Sequence, residues 1–569
     1  MITPPLTASV ETADIDRHFG SFIARFGGDT ELVQATAALL SCAVRQGHIC
    51  LDLCDPFFGN VPTDELKFPE PDEWVGRLGS SPAFGSPDRS TPVVLAGHRV
   101  FLRRYWDYEQ ALARSILSRA RRNVATKNAA HTQEAAIEGA LKNYFTVISG
   151  APGTGKTTTV LRILQRFVQE SGNKRPRIAL AAPTGKAAAR LQELLRSLHQ
   201  DSAVDEKLKH SIPTKASTIH RLLGSKPDSV FFRHDSRNPL PLDLLVVDEA
   251  SMVALPLMAK LFDALPENAR AILLGDKDQL ASVEPGAVLA DMAGAALAPK
   301  SQLRNALFIL SKNYRFGNEN AIYRLSSAVR VGNADEALGI LAERDSAELG
   351  SSTLPSAAQL ARQLEELVVE PYKGYLVEQD PLKALDQFAR FRVLCALREG
   401  PFGVRQVNEA IEGILHRRNL IPDPSRLYPG MPLLITQNDY QAQLFNGDIG
   451  VILPDPREND RHQLWAWFIG ADNQPRRLSP GRLPDYELAY AMTVHKAQGS
   501  QFERVVLILP DRDSPVLSRE LIYTGVTRAS KRVDVWFTKP VLCAAIARQA
   551  IRRSGLHDAL RGDGARALL

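Results

Sequence analysis

A glycine-rich segment between an apolar run and a helical pattern constrains this chain more than any other feature. Residues 145–149 are typical of a buried strand, and they lead directly into Gly150-Ala151-Pro152-Gly153-Thr154-Gly155-Lys156-Thr157-Thr158. This segment matches the pattern G-x-x-x-x-G-K-[ST] in the strand–loop–helix context that the pattern requires. The glycines let successive backbone N–H groups point inward, and a helix N-terminus adds partial positive charge, so the loop suits phosphate groups. The pattern predicts a nucleoside triphosphate site, with Lys156 on the β- and γ-phosphates and Thr157 on Mg²⁺.

Two further apolar runs end in polar groups of the kind that such a site needs. Residues 244–247 are followed by Asp248 and Glu249, and residues 271–274 lead to Gln279. Since the carboxyl ends of parallel strands meet at one edge of a sheet, these groups are expected near the phosphate loop. We predict that Asp248 holds the Mg²⁺ that Thr157 also binds, that Glu249 polarises the attacking water as general base, and that Gln279 senses the γ-phosphate.

Two arginines in the second predicted unit, which begins at about residue 304, are candidates for the same site, namely Arg315 and Arg528. An arginine delivered across a cleft to the γ-phosphate stabilises charge in the transition state and ties hydrolysis to closure of that cleft. Taken alone, either arginine would be interpreted as part of a surface salt bridge.

The 569 residues exceed what one hydrophobic core supports, so several domains are predicted. Residues 1–118 carry no nucleotide chemistry and form a mainly helical N-terminal domain with a hairpin at 93–106. The pattern of short apolar runs in residues 119–303 predicts one mostly parallel α/β unit. Residues 304–569 predict a second unit. Three smaller features are a short excursion at 224–240, a surface loop at 344–357, and a small β-barrel inserted at about 425–485.

Charge, cysteine content and hydropathy exclude some classes of protein. A formal charge of +5 is compatible with a polyanionic partner but too small to predict one, and the short arginine clusters at 103–104 and 119–122 favour a solvated face over a binding stripe. Cys42, Cys50 and Cys54 favour buried thiols over a metal site. A signal peptide is not expected at residues 1–19, and a membrane span is not expected anywhere, so a cytoplasmic location is predicted.

Taken in order along the chain, these segments resemble the sequence motifs of superfamily 1 helicases. The resemblance adds Gln133 as the glutamine that reads the adenine edge. It covers residues 130–540, with motifs I, Ia, II and III at 150–157, 181–188, 248–251 and 275–280, motif IV around Arg315, motif V at 493–500 and motif VI around Arg528.

A narrower resemblance is to the RecD family, the alpha subunits of RecBCD-type helicase–nucleases (exodeoxyribonuclease V). It is carried by the segments 100–109, 218–224, 395–403, 439–440 and 444–448. The resemblance implies an ATP-driven 5′→3′ DNA helicase with two RecA-like P-loop domains, an SH3-like β-barrel insert, and an N-terminal domain that docks on a RecC-like subunit. It also implies a heterotrimer in which the RecB-like partner carries the nuclease, acting on single strands and duplex ends in double-strand break repair and recombination.

Placement of the helicase motifs predicts which groups hold single-stranded DNA, and one position departs from the family. The predicted contacts are Thr184, Lys186, Thr218, His220, Thr493 and His495. Where motif V of the family reads Gly-Ser-Glu-Phe, this chain has Gln501, which keeps the hydrogen-bonding ability but loses the charge for a contact to the nucleotide sugar. Two alternatives stay open, a stand-alone RecD-like helicase and a scaffold subunit whose ATP binding only sets the conformation of a complex. Tyr105, Trp106 and Tyr108 could stack on bases or pack at a domain boundary.

Overall fold

The computed structural model describes residues 13–561 except 56–67, 125–131, 173–174, 202–204, 227–228, 316, 318–319, 344–345, 440, 458–462 and 471–473. Most of residues 1–19, where no signal peptide is expected, therefore lies outside the described residues. Tyr440 of the RecD-like segment at 439–440 lies outside them as well. Among the described helices, none combines the length and the apolar character that crossing a bilayer would need.

In its described residues, the N-terminal unit combines four helices with a small sheet. The predicted hairpin is present, because β3 pairs antiparallel with β4 around Gly97, whose φ of +59° favours glycine. Tyr105 and Trp106 are buried, as expected for residues that pack at a domain boundary rather than stack on bases. The sheet order is β1-β4-β3-β2, and the elements are α1 (Asp14–Ala24), α2 (Thr30–Arg45), β1 (Cys50–Asp52), α3 (Pro71–Leu78), β2 (Phe84–Gly85), β3 (Val93–Ala96), β4 (Arg99–Leu102) and α4 (Arg103–Ala120).

The first α/β unit is built on a parallel six-stranded sheet with helices on both faces. Its strand order is β10-β5-β9-β8-β6-β7. The elements are α5 (Gln133–Lys142), β5 (Phe145–Gly150), α6 (Lys156–Glu170), β6 (Ile178–Ala182), α7 (Gly185–Gln200), α8 (Glu206–Ser211), β7 (Ser217–Thr218), α9 (Ile219–Leu223), β8 (Leu244–Val247), α10 (Leu255–Asp263), β9 (Arg270–Gly275), α11 (Val288–Leu297) and β10 (Leu307–Leu310).

Two strands of this sheet were not predicted. β7 has two residues, too few for a hydrophobic pattern, and β10 lies beyond the predicted boundary at residue 303 yet pairs with β5. The sheet of the first unit therefore extends past that boundary to include β10. The arginine cluster at 119–122 also differs from prediction. Arg119 is buried and donates to the carbonyl oxygens of Leu265 and Pro266 at 2.9 and 2.7 Å.

The second unit contains a parallel five-stranded sheet with the order β11-β20-β19-β12-β18. The elements are α12 (Ala321–Val331), α13 (Ala334–Leu341), β11 (Leu349–Thr353), α14 (Leu360–Leu376), α15 (Pro381–Phe388), β12 (Phe391–Cys395), α16 (Val404–Arg417), β13 (Pro432–Ile435), β14 (Ile449–Pro454), β15 (Leu464–Ile469), β16 (Pro475–Leu478), β17 (Tyr486–Leu488), β18 (Ala491–Thr493), β19 (Phe502–Ile508), α17 (Arg519–Val526), β20 (Ala529–Phe537), α18 (Lys539–Ala547) and α19 (Leu556–Arg561).

The predicted surface loop at 344–357 is wrong in part, because β11 lies within it and pairs with β20. β11 is an edge strand with only Leu349 buried, so its Gly-Ser-Ser-Thr sequence shows no apolar run. The predicted β-rich insert is an antiparallel sheet with the order β16-β15-β14-β13-β17. Its likeness to an SH3 barrel stays a prediction, since among the described residues β16 and β17 pair with one neighbour each.

The end of the described chain returns to the N-terminal unit. The Ile49 N–H donates to the Arg553 carbonyl oxygen at 2.8 Å, and the Gly555 N–H donates to both carboxylate oxygens of Glu109 at 3.0 and 3.1 Å. Burial, and then the nearby Asp291 carboxylate, raise the pKa of Glu109 to about 8, while Arg99 acts in the opposite direction. The Glu109 carboxyl group is therefore a buried titrating group at this junction.

We expect Glu109 to make the folded chain less stable as the pH rises. Its pKa in the folded chain is about 8, against an ordinary value of 4.5. Between these two pH values the folded chain keeps a proton that the unfolded chain releases. Stability from this group is complete below about pH 4.5 and is lost as the pH rises through 8. Glutamine at position 109 cannot titrate. The unfolding free energy of Glu109→Gln, taken relative to the parent, should therefore be about 2–4 kcal/mol higher at pH 8.5 than at pH 5.

Urea unfolding of both proteins at the two pH values measures this gain. Glu370→Gln, on the exposed surface of α14, is the matched control and should follow the parent at both pH values. An equal pH dependence in Glu109→Gln and in the parent would contradict the assignment.

Candidate functional site

A cleft of about 310 Å³ lies between the carboxyl edge of the first parallel sheet and the start of β19 and β20 in the second unit. Strand order explains the gathering on the first side, since the adjacent strands β5, β9 and β8 end at the phosphate loop, Asp276 and Asp248. The cleft is lined by Pro152, Gly153, Gly155, Lys156, Thr157, Arg190, Asp248, Glu249, Gln279, Tyr314, Arg315, Ser500, Gln501, Thr527 and Arg528. All five side chains predicted to be catalytic are in this set.

The phosphate loop has the backbone that its sequence predicts. Gly153 and Gly155 have φ values of +88° and +78°, a region that residues with a Cβ rarely adopt, and α6 begins immediately afterwards. The Lys156 ammonium group donates to the carbonyl oxygens of Gly150 and Ala151, the latter at 3.2 Å. Lys156 is thereby held over the loop, with its positive charge at the position that phosphates would approach.

Arg315 is brought to the loop by the segment that precedes it. The Asn313 side-chain amide donates to the Pro152 carbonyl oxygen at 3.1 Å, and the Tyr314 N–H donates to the Gly153 carbonyl oxygen at 2.8 Å. The approach is close, since a Cβ built on Gly153 would lie 2.7 Å from the Cβ of Arg315. A side chain at position 153 is therefore excluded both by φ and by space.

Gln133 contacts the phosphate loop itself. It is the first residue of α5, and its side-chain amide donates to the carbonyl oxygens of Thr154 and Gly155 at 3.2 and 3.4 Å. These bonds place Gln133 beside the site and fix its amide nitrogen. Its predicted contact with an adenine edge stays a prediction.

The acidic pair lies at the end of β8 in a strained backbone. Glu249 has φ +50° and ψ +40°, which is uncommon for a residue with a side chain and is found where a functional geometry must be held. The Asp248 carboxylate accepts the Glu249 N–H at 2.8 Å. Burial, and then the neighbouring Glu249 carboxylate, raise the pKa of Asp248, while Lys156 opposes this shift.

The segment after β9 is bonded directly to the second unit, through partners that sequence reasoning missed. Asp276 is buried and accepts the Tyr523 hydroxyl at 2.8 Å and the Gln279 side-chain amide at 3.2 Å. Leu280 follows, where its N–H donates to the Thr524 hydroxyl oxygen at 3.0 Å and its carbonyl oxygen accepts from Gln498 at 2.7 Å. Because Tyr523 and Thr524 lie in the helix that leads to Arg528, this helix connects Gln279 with Arg528.

Arg528 is buried at the second side of the cleft. Its guanidinium group donates to the carbonyl oxygens of Thr524 at 3.2 Å and Ser500 at 3.1 Å. Burial lowers the pKa of Arg528, and the Glu249 carboxylate opposes that shift. The arginine thus stays within electrostatic reach of the acidic pair across the cleft.

The three threonines predicted to contact DNA each cap a local backbone turn. The hydroxyl oxygens of Thr184, Thr218 and Thr493 accept the N–H three residues ahead, at 3.2, 3.3 and 3.2 Å. Thr184 and Thr218 lie at the ends of neighbouring strands. Thr184 closely follows Ala182, the last residue of β6, and Ala182 pairs with Thr218 in β7. These bonds use one lone pair of each hydroxyl, so a DNA contact by the same groups stays a prediction.

The remaining three predicted DNA contacts lie on the same two units. The Lys186 ammonium group is 5.6 Å from the ring centre of Phe502, which belongs to the second unit. The His220 ring lies 5.8 Å from the Phe232 ring. His495 is half-buried, and burial lowers its pKa. A common DNA path through all six residues stays a prediction.

Three family models match separate parts of the chain. The N-terminal domain of RecBCD enzyme subunit RecD matches residues 12–101, an AAA domain matches residues 133–285, and a UvrD-like helicase C-terminal domain matches residues 488–535. The last two contain the phosphate loop with the acidic pair and the Arg528 segment, respectively.

Curated relatives match over most of the chain. RecBCD enzyme subunit RecD of Mycolicibacterium smegmatis is 40% identical over 552 residues, covering 94% of each chain. RecBCD enzyme subunit RecD of Haemophilus influenzae is 37% identical, covering 75% of this chain and 72% of that one. The ATP-dependent RecD2 DNA helicase of Deinococcus radiodurans is 31% identical over 72% of this chain and 49% of its own length.

Solved structures of Pif1 helicases are similar at lower identity. One at forked double-stranded DNA has a TM-score of 0.40 at 15% identity and covers 78% of this chain and 98% of that chain. Bacteroides Pif1 bound to single-stranded DNA has a TM-score of 0.39 at 16% identity, covering 72% and 92%.

Proposed function

This chain belongs to the RecD family of RecBCD enzyme subunits, and on that premise we propose that its cleft hydrolyses ATP to drive 5′→3′ movement along DNA. The chain is an ATP-dependent DNA helicase and a subunit of a RecBCD-type complex. It is 40% identical to a RecD subunit and 31% identical to the RecD2 helicase. The higher identity favours the subunit over a stand-alone helicase, with RecB-like and RecC-like partners.

The observation that carries the proposal is that both units contribute charged residues to one cleft. Lys156 and Glu249 come from the first unit, and Arg528 comes from the second. Phosphate groups bound between them would be contacted from both sides, so ATP would draw the units together and hydrolysis would release them. We assign Lys156 to charge compensation, Glu249 to general base catalysis, Gln279 to sensing of the γ-phosphate, and Arg315 and Arg528 to transition-state charge.

The residues in the cleft also fit Mg²⁺ as part of the site. Mg²⁺ binds through one or two protein oxygens together with phosphate oxygens and water. The carboxylate of Asp248 and the hydroxyl of Thr157 both line the cleft and supply such oxygens. When bound, the ion would neutralise negative charge on the phosphates, and Gln133 and residues 150–158 would hold the nucleotide beside it.

Movement along DNA requires the two units to hold the strand alternately. Thr184, Lys186, Thr218 and His220 lie on the first unit, and Thr493 and His495 lie on the second. If each group grips the backbone in turn while the cleft closes and opens, every ATP cycle becomes net translocation. Such binding should depend little on sequence and strongly on salt. We further propose a cytoplasmic location, where both ATP and duplex ends are present.

Unwinding of short duplexes that carry either a 5′ or a 3′ single-stranded tail tests this proposal. The full chain is assayed with ATP and Mg²⁺ beside Lys156→Gln, first alone and then assembled with its partner subunits. Opening of only the 5′-tailed duplex is expected, and Lys156→Gln should abolish it. Opening of only the 3′-tailed duplex would overturn the polarity. Normal unwinding and cutting by a complex that contains Lys156→Gln would instead support the scaffold alternative.

A further inference from the structure

The side chain of Gln279 is held in one orientation by a buried carboxylate. Its Nε2 atom donates to Oδ2 of Asp276 at 3.2 Å, and both residues are buried. Gln279 also lines the cleft that contains Lys156 and Glu249. Among the described residues, no group donates a hydrogen bond to its Oε1 atom. The amide oxygen is therefore the polar atom that Gln279 can present to the cleft.

The chemistry of Asp276 fixes which end of the amide faces it. A carboxylate accepts hydrogen bonds and donates none, so the NH2 group of Gln279 must face Asp276. The same carboxylate accepts two further hydrogen bonds, from the Asp278 N–H at 3.1 Å and from the Tyr523 hydroxyl at 2.8 Å. A reversed Gln279 amide would leave its oxygen against a carboxylate oxygen, with no hydrogen between them.

Tyr523 supplies its hydrogen bond from the second unit. It is buried on α17, whereas Asp276 follows β9 of the first unit. Burial raises the pKa of Asp276, while the charge of Lys156 and the hydrogen bond from Tyr523 act in the opposite direction. The hydroxyl thus favours the ionised carboxylate, which is the form that accepts from Gln279. Because the two residues belong to different units, this support exists only while the units are packed together.

We propose that Asp276 and Tyr523 are positioning residues of the ATP site, which hold Gln279 so that its carbonyl oxygen orients the attacking water. This inference rests on the proposed function and deepens it. It makes the contact of Gln279 with the γ-phosphate indirect, because an amide oxygen and a phosphate oxygen are both acceptors and need a water between them. It also ties the orientation of that water to closure of the cleft, since Tyr523 comes from the second unit.

Two acceptor groups suit a water that must attack phosphorus. Glu249 and Gln279 line the same cleft, so each can accept one hydrogen of the water and leave an oxygen lone pair for the γ-phosphorus. In that step the water oxygen bonds to the γ-phosphorus, and the bond from this phosphorus to the β–γ bridging oxygen breaks. One water proton passes to Glu249, the other hydrogen stays on the new phosphate, and ADP leaves with the electron pair of the broken bond.

Two conservative variants of the full-length chain test the positioning role. Tyr523→Phe keeps the ring and removes only the hydroxyl, so kcat for DNA-stimulated ATP hydrolysis should fall about tenfold. Asp276→Asn introduces an amide that can donate to Gln279 and reverse it, so kcat should fall at least about 30-fold. In both variants the affinity for a non-hydrolysable ATP analogue should stay within about threefold of the parent, which also shows that the site is folded. Tyr323→Phe, on α12 of the same unit and outside the cleft, is the matched control and should behave as the parent does.

A double-mutant cycle with Gln279→Ala separates positioning from general damage. If Asp276 and Tyr523 act through Gln279, each variant should change kcat by less than about twofold once the Gln279 amide is absent. Parental kcat in either single variant, or an equally large loss in the Gln279→Ala background, would overturn the inference. Lys156→Gln, assayed in parallel, keeps the two proposals apart. Loss of ATPase there beside parental kcat in Tyr523→Phe would reject only the positioning role, whereas retained ATPase in Lys156→Gln would reject the proposed function.

Discussion

Replacing Lys156 with glutamine is expected to abolish ATP hydrolysis by this chain. The lysine lies over the phosphate loop and lines the cleft, so its ammonium group is a positive charge at the predicted site of the β- and γ-phosphates. Glutamine is of similar length but neutral, and it removes charge compensation where negative charge develops in the transition state. DNA-stimulated ATPase activity, measured on the purified chain, should fall at least about 100-fold.

The control for this variant is Lys142→Gln, at the exposed end of α5, which loses the same charge outside the cleft. It should retain parental activity. Unchanged DNA-stimulated hydrolysis in Lys156→Gln would contradict the assignment of the whole cleft, because no other group on the phosphate loop carries a positive charge.

Replacing Glu249 with glutamine is expected to separate nucleotide binding from hydrolysis. Glutamine is nearly isosteric with glutamate, so the left-handed backbone at 249 and the bond from its N–H to Asp248 should persist. What is lost is the carboxylate that would accept a proton from the attacking water. We expect ATP to bind with near-parental affinity and to turn over at least about 100-fold more slowly.

Single-turnover hydrolysis together with equilibrium binding of ATP distinguishes these effects. Glu267→Gln, an exposed carboxylate in the loop before β9, serves as the matched variant and should behave as the parent does. Parental turnover in Glu249→Gln would remove the general-base role, whereas loss of binding would indicate that the side chain holds the loop and does not act on water.

Much of the architecture follows from local patterns. The strands that carry the site were predicted because each is an apolar run ending in polar residues, and β5, β6, β8 and β9 are found where expected. β7 and β11 were not predicted, since a two-residue strand and a polar edge strand have no hydrophobic periodicity. Their place in the sheets depends on backbone pairing with strands that are distant in the chain. Pairing of this kind leaves little trace in local sequence.

Arg119 illustrates the same limit for a charged side chain in the core. The cluster at 119–122 resembles a solvated face in sequence, yet Arg119 is buried beneath the turn at 265–269 and satisfies its carbonyl groups. Only the path of a segment about 150 residues away decides whether such a side chain meets water or backbone oxygens. Composition therefore predicts the charge of this residue correctly and its location wrongly.

The sequence by itself determined the phosphate loop, the acidic pair after β8 and the order of the helicase motifs, because each depends on neighbouring residues whose spacing sets the local backbone. Sequence motifs also indicated Arg528, but tertiary structure alone decided the hydrogen bonds through which the second unit meets them. The bond between Tyr523 and Asp276, and the single oxygen of Gln501 between Arg190 and Arg315, join residues that are between 186 and 311 positions apart. Such contacts arise where the two units meet at the cleft, and no periodicity along the chain encodes them.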